Sequence, residues 1–323
     1  MNATLAELAP LRLECGAELP LRIAFRRMGS GPARVLLLHA LTGGPDAADR
    51  EGVKGWWAPL FKDGAPLAHA RCTVWTPNLL GSCYGSTGPA DQSPFPAITP
   101  RDQAAALLAW IEAEDLRFDA VVGGSLGGMV ALELALLAPE RVGRVGAIGC
   151  GGRSDAWVRG QDFVQRRILE SGLPDAEAVA LARHAAMLGF RSPKGLNWRF
   201  SHGSRKGGVE AWLEHHGRDL AGRFSRGSYL ALLGAMDAHD LGRERGGLLQ
   251  ALRGLKVPLH LLGIDSDTLF TPSLLFELAH AAEAEGRKAH LSWIRSPHGH
   301  DAFLIEWDQV SAWLKHDLLK DLP

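Results

Sequence analysis

Short apolar runs, each closing on a loop that contains glycine or proline, decide what kind of fold this chain can adopt. They are RVLLLHAL (34–41), CTVWTPN (72–78), DAVVGGS (119–125), VGRVGAIGCG (142–151), VPLHLLGIDSD (257–267) and AHLSWIRSP (289–297). A strand with one wet face alternates apolar and polar residues, whereas these runs are continuous and fit strands covered on both faces of a parallel sheet. Helical patterns fill the gaps: TPRDQAAALLAWIEAE from Thr99, GMVALELALLAPE from Gly128 and SLLFELAHAAEAEG from Ser273. The alternation predicts a doubly wound α/β fold. It is interrupted from about Arg153 to Gln250, where amphipathic segments such as DAEAVALARHAAMLGF and EAWLEHHGRDLAGRF replace strands. We expect a catalytic core built from 1–152 and 251–323, with 153–250 inserted as a helical lid over the C-terminal strand ends, where open α/β folds bind ligands.

Composition narrows the function classes. The chain has 323 residues, with 35 basic and 36 acidic side chains giving a formal charge of −1. A balance this close has no general attraction for nucleic acid or anionic lipid, so neither is expected as a partner. No apolar run approaches the roughly 20 residues that span a bilayer. The opening MNATLAELAPLRLECG lacks a basic stretch followed by an apolar core, and Cys15, Cys72, Cys83 and Cys150 form no CxxC pair. The expectation is a cytoplasmic protein with reduced thiols and no metal.

The segment VVGGSLGGMVALELALLAPERV (121–142) holds Ser125 between two pairs of glycines, after an apolar strand and before a helix. A plain glycine turn would also fit, but Gly123-x-Ser125-x-Gly127 has the form of a nucleophile elbow. A serine hydroxyl needs an imidazole to take its proton and a carboxylate to orient that imidazole. On such an elbow the partners follow in the order serine, acid, histidine, and GIDSDTLFTP followed by SPHGHDAF supplies that order at two strand ends. Each loop offers two candidates. Asp265 lies nearest its strand, but Asp267 is favoured because the loop must reach over to a histidine on the next strand. Its bland alternative is a solvated turn aspartate capping the helix at Ser273. His300, opening HDAFLIEW at a helix start, is favoured over His298. An oxyanion hole calls for two backbone N–H groups, expected from Leu126 after the nucleophile and from Leu41 in LLLHALTGG.

These segments together resemble the homoserine O-acetyltransferase family of the α/β-hydrolase fold. The resemblance rests on HALTGG (39–44), NLLGSCYGSTGP (78–89), FPAITPRDQ (95–103), GGSLGGMVALELA (123–135), GSYLALLGAMDAHDLGR (227–243), GIDSDTLFTP and GHDAFLIEW, all in family order. It implies Ser125 as nucleophile, Asp267 as acid and His300 as base, with Leu41 and Leu126 at the oxyanion hole and a homodimer formed through the lid. It also implies ping-pong transfer of an acetyl group from acyl-CoA, as co-substrate, to the hydroxyl of homoserine in methionine biosynthesis. Leu126 stands where the family usually has methionine, a tolerable change if the backbone N–H acts. GFRSP around Arg191 replaces a Thr-Tyr-Arg-Ser run, and the chain is somewhat short at the N-terminus and in the lid.

An amino-acid alcohol carries an ammonium and a carboxylate, so its pocket needs one fixed charge of each sign. Asp301 is expected to meet the ammonium and Arg191 the carboxylate. The bland alternatives are a helix N-cap for Asp301 and a solvated lid arginine for Arg191. Rival readings keep the chemistry but use succinyl-CoA or serine, let water win as in an esterase, or turn the fold into a binding module. The last of these requires a damaged triad, and the sequence retains all three members.

Overall fold

A computed structural model describes residues 3–201 and 207–322. The six apolar runs form β3 (Ala33–Leu38), β4 (Cys72–Pro77), β5 (Ala120–Gly124), β6 (Val145–Ile148), β7 (Leu259–Ile264) and β8 (Ala289–Ile294), all parallel. Two further strands, β1 (Thr4–Arg12) and β2 (Glu18–Met28), pair antiparallel as a hairpin, and β2 joins β4 antiparallel. The eight-stranded order is β1-β2-β4-β3-β5-β6-β7-β8. The sequence reading missed this hairpin because it lacks a continuous apolar run. In β2 (ELPLRIAFRRM) Leu19, Leu21 and Ile23 alternate with less buried positions, and that period of two was the available signal.

Burial on both sheet faces is directly visible. In β3, Leu36 and Leu38 pack into one core with Val121, Trp110, Leu126 and Met129, while Val35 and Leu37 point into a second with Val122, Trp57, Leu60 and Trp313. Burying each such aliphatic side chain is worth about 1.5–3 kcal/mol, which forces helices onto both faces. On one of these faces lie α1 (Pro100–Ala113) and α2 (Leu126–Leu137). The start of α1 is set by Thr99 and Asp102, a reciprocal capping box with Pro100 in the first turn. The Asp102 carboxylate also accepts from the Glu14 N–H at 2.8 Å and so ties the hairpin turn to α1.

Between β6 and β7 the chain runs through α3 (Ala156–Leu169), α4 (Asp175–Phe190), α5 (Pro193–Phe200), α6 (Gly208–Ala221), α7 (Arg226–Asp237) and α8 (Leu248–Arg253). Among the described residues this stretch has no strand beyond a single bridge of Arg153 with Asp240. Helix α4 packs against α3 and α6, and α3 against α7. The far end of the insertion is fastened to the core by charge. Buried Glu133 of α2 accepts from Arg245 at 2.6 Å and Arg101 at 3.3 Å, and Glu14 accepts from Arg101 and Arg243. Helices α9 (Pro272–Ala284) and α10 (Trp307–Trp313) complete the fold. No helix among the described residues is long and apolar enough to cross a membrane.

Candidate active site

The site begins with backbone geometry at the end of β5. Ser125 sits at φ 54° and ψ −122°, a conformation that costs a non-glycine residue of order 1–3 kcal/mol. Its neighbours explain why the chain can turn there. A Cβ on Gly123 would lie 2.2 Å from the Gly127 carbonyl carbon, and one on Gly127 would lie 2.4 Å from the Leu38 carbonyl oxygen. These are approaches to backbone that no side-chain rotation relieves. Without Cβ atoms, α2 starts hard against the ends of β5 and β3. The Ser125 N–H donates to the Ile148 carbonyl at 2.8 Å, which locks the elbow to β6.

The strand ends bring the other partners in. The His300 Nε2 lies 2.9 Å from Ser125 Oγ, and its Nδ1 lies 2.6 Å from Asp267 Oδ2. All three are buried, at 5%, 3% and 3% exposure for Ser125, Asp267 and His300. The remaining Asp267 oxygen, Oδ1, accepts from the Leu269 and Phe270 N–H groups at 2.8 and 3.0 Å, so the carboxylate cannot swing away. An ionised Asp267 requires a proton on Nδ1, which leaves Nε2 free to accept from Ser125 Oγ. Rings of Phe190, Phe270 and Phe303 surround the imidazole with centroids 5.9, 5.6 and 5.8 Å away. Burial opposes charge on His300, but the Asp267 carboxylate and its hydrogen bond, helped by Asp301, hold its pKa above the ordinary histidine value.

Of the paired candidates, the structure brings Asp267 and His300 to Ser125 and gives Asp265 and His298 other tasks. Asp265 is exposed and accepts from the Ser296 N–H at 3.0 Å. His298 is half-buried against Trp198, ring centroids 6.2 Å apart. Between them, Ser266 donates to the Ser296 carbonyl and accepts from the Gly299 N–H at 3.0 Å. Asp265 and Ser266 thus stitch the acid loop to the histidine loop, a role with no local signature. His300 stands at a helix start, as expected, but the helix is short. It is a 3-10 turn, Gly299–Leu304, separate from α10. Asp267 does not cap α9, whose N-cap is Thr271.

Leu126 is the first residue of α2, so its N–H is one of the helix's unsatisfied donors. Leu41 lies in the loop after β3, and neither N–H donates to a protein group among the described residues. That loop is braced by His39. His39 Nδ1 lies 2.8 Å from the Ala40 carbonyl, and Nε2 accepts from the Leu79 N–H at 3.0 Å. Burial drives His39 down to about 4, so it stays neutral in the tautomer this bracing needs. From the end of α6, Arg223 donates to the Thr42 carbonyl and to the Tyr84 hydroxyl, both at 2.9 Å, linking the insertion to the same loop. Buried Cys150 is no rival nucleophile, because burial, with the Asp267 charge adding, pushes its thiol up to about 12. Among the described residues no cluster of histidine, cysteine and acidic side chains is arranged to hold a metal ion.

Arg191 and Asp301 meet each other. Their side chains pair at 3.1 Å with 14% and 13% exposure, so Asp301 is no helix cap and Arg191 no solvated arginine. The contact follows from a tight approach of the insertion to the histidine loop. A Cβ on Gly299 would lie 2.5 Å from the Ser192 nitrogen, and one on Gly195 would lie 2.1 Å from the Pro297 carbonyl oxygen.

A buried Ser-His-Asp line on a strand–elbow–helix is found in many chemistries, and the whole chain decides among families. The α/β hydrolase fold family matches residues 33–306. A homoserine O-acetyltransferase of Thermus thermophilus is 39% identical, over 93% of this chain and 87% of its own. The chain belongs to the homoserine O-acetyltransferase family. It is thereby grouped with acyltransferases built on this fold. The crystal structure of homoserine O-acetyltransferase from Staphylococcus aureus superposes with a TM-score of 0.87 at 25% identity, covering 99% of this chain and 96% of that one. The esterase E22 L374D mutant superposes at 0.86 with 18% identity, over 97% and 98%, a likeness that carries the fold alone.

Proposed function

We propose that this protein transfers an acetyl group from acetyl-CoA to the hydroxyl of homoserine by a ping-pong mechanism, as a cytoplasmic enzyme of methionine biosynthesis. The observation that carries the reading is the hydrogen-bonded Ser125–His300–Asp267 line in a chain 39% identical to a homoserine O-acetyltransferase. In the first half-reaction Ser125 Oγ attacks the thioester carbonyl while its proton passes to His300 Nε2. The new oxyanion is held by the Leu41 and Leu126 N–H groups, each such donor being worth about 3 kcal/mol in the transition state. The intermediate collapses, the C–S bond breaks, and CoA leaves with the proton from His300. An acetyl ester on Ser125 remains. His300 then takes the proton of the acceptor hydroxyl, which attacks the ester, and Ser125 Oγ recovers its proton as the product leaves. Asp267 stays ionised throughout and holds the imidazolium.

Asp301 and Arg191 are the proposed contacts for the acceptor's ammonium and carboxylate. A zwitterion laid antiparallel to an existing ion pair satisfies both charges of each. A cavity of about 630 Å³ beside the Leu41 loop, lined by Thr42, Gly43, Lys54, Trp56, Tyr84 and Arg223, is the proposed approach for the donor. The helical insertion has a second proposed role. On α3 and α4 it leaves Trp157, Phe163, Val164, Leu181 and Leu188 exposed, an apolar surface that fits a homodimer through the lid.

One comparison tests the reading. CoA release is measured with acetyl-CoA and succinyl-CoA, with homoserine, with serine and with no acceptor. The expected result is release from acetyl-CoA that depends on homoserine. Equal release with no acceptor would mean an esterase, and a preference for succinyl-CoA or serine would move the reading to a sister reaction.

A further inference from the structure

Among the described residues, Arg183 is a cation beside this site with no acid paired to it. It lies on α4 with Met187 and Phe190, residues of the buried face, while the outer face carries exposed Leu181 and Leu188. Its guanidinium carbon stands 5.3 Å from the centre of the Phe190 ring, and that ring meets the His300 imidazole at 5.9 Å. Within its electrostatic reach are Tyr229, Asp301, Arg223 and Arg191, and burial raises the Tyr229 pKa so that this phenol stays neutral. Arg191 already has Asp301, and Arg223 has Asp219 at 3.3 Å as well as its two oxygen acceptors. Arg183 has no ion-pair partner and no hydrogen-bond acceptor among the described residues. Burial pulls its pKa below the ordinary arginine value, and the side chain is half-buried. Nearby His216 adds no charge at neutral pH, since burial, with Arg183 adding, lowers it to about 4. Arg183 and Arg191 therefore have one carboxylate, Asp301, between them. A half-buried guanidinium with no acid of its own, beside the site, is a ready partner for a ligand carboxylate.

We infer that Arg183 is a second carboxylate-binding group of the acceptor pocket, sharing the acceptor's carboxylate with Arg191. The inference rests on the acceptor reading proposed above and adds a residue to it. An α-amino acid carries its ammonium and carboxylate on one carbon, so an ammonium at Asp301 places the carboxylate beside the arginines that flank Asp301. Moving the ammonium onto Asp301 frees Arg191 to turn to that carboxylate. Arg183, stacked on Phe190, meets it from the α4 side. The acceptor as a whole is neutral and leaves the net charge of the pocket unchanged, but its carboxylate gives Arg183 a partner of opposite sign.

The test uses Arg183→Met, which keeps the apolar stem, and Arg183→Lys, which keeps the charge without the planar fork. Two acceptors are compared: homoserine, and aminopropanol, which is homoserine without its carboxylate. For Arg183→Met the homoserine KM should rise roughly 10- to 100-fold, the worth of a charge-assisted hydrogen bond, with a smaller rise for Arg183→Lys. The KM for aminopropanol and the burst of acyl-enzyme from acetyl-CoA should match wild type in both. An unchanged homoserine KM in both variants overturns the inference. So does an equal loss with both acceptors, which would mark a role in the fold. Loss of the burst with a normal homoserine KM overturns it too, assigning Arg183 to the donor. Thermal unfolding identifies a misfolded Met variant, and the Lys variant then carries the test. Failure of wild type to acylate homoserine refutes the parent reading and the inference with it, and is seen before any substitution is made.

Discussion

Replacing Asp267 with asparagine removes one charge at nearly constant shape, and the structure says which way the new amide will face. Oδ1 accepts two backbone N–H groups, from Leu269 and Phe270 at 2.8 and 3.0 Å. Those donors require an oxygen, so the asparagine NH₂ must take the place of Oδ2, opposite His300 Nδ1 at 2.6 Å. Two N–H groups cannot face each other there. His300 must shift its proton to Nε2, where it points at Ser125 Oγ and cannot act as base. A wrong tautomer of this kind costs about ten-thousandfold in turnover, or about 5 kcal/mol in the barrier. The fold should survive, since neither backbone hydrogen bond is lost. The assay is single-turnover formation of acyl-enzyme from acetyl-CoA, followed by intact mass, with Asp265→Asn as comparator. In that comparator the amide oxygen still accepts from the Ser296 N–H, so it should behave as wild type. A second readout is the acid limb of the rate. Activity needs neutral His300, and Asp267 raises its pKa, so the wild-type limb lies above the ordinary histidine value. In Asp267→Asn the residual activity should fall away at lower pH than in wild type. An Asp267→Asn enzyme within tenfold of wild type, or a severe loss in Asp265→Asn instead, would refute the tautomer argument.

Three further outcomes are expected. Ser125→Ala should form no acyl adduct by intact mass yet remain folded, whereas Ser125→Gly should also be more stable than the alanine variant by about 1 kcal/mol, because glycine tolerates φ 54° without strain. Gly123→Ala should fail to fold or lose several kcal/mol in chemical denaturation, its Cβ meeting backbone at 2.2 Å, while Gly160→Ala in α3, with nothing within 4 Å, should gain up to about 1 kcal/mol. Glu133→Gln, which takes the ion-pair partner from Arg245 and leaves Arg101 with Glu14, should cost up to about 3 kcal/mol in the same assay and loosen the end of the insertion, seen as faster amide exchange in residues 241–247.

The parts of this protein that were legible in sequence are those whose physics is local. A strand buried on both faces is written as a continuous apolar run, and an elbow that needs two backbones within van der Waals contact is written as glycines at Gly123 and Gly127. Chain order then placed an acid and a histidine after the serine. The hairpin of β1 and β2 was overlooked because an edge pair in water carries only a weak alternation. Tertiary structure alone decided the rest. Asp265 and Asp267, or His298 and His300, differ by two residues in similar loops, and only the packing of β7 against β8 determines which side chain turns toward Ser125 and which becomes a brace. Arg191 and Asp301 were read separately as contacts for an acceptor's carboxylate and ammonium, and that they pair with each other follows from the close approach of the insertion at Gly299 and Gly195. Arg183 drew no attention at all, since a lone arginine in an amphipathic helix reads as a solvated face. Its significance depends on which charges surround it and which are already paired, a property of distances between residues far apart in the chain.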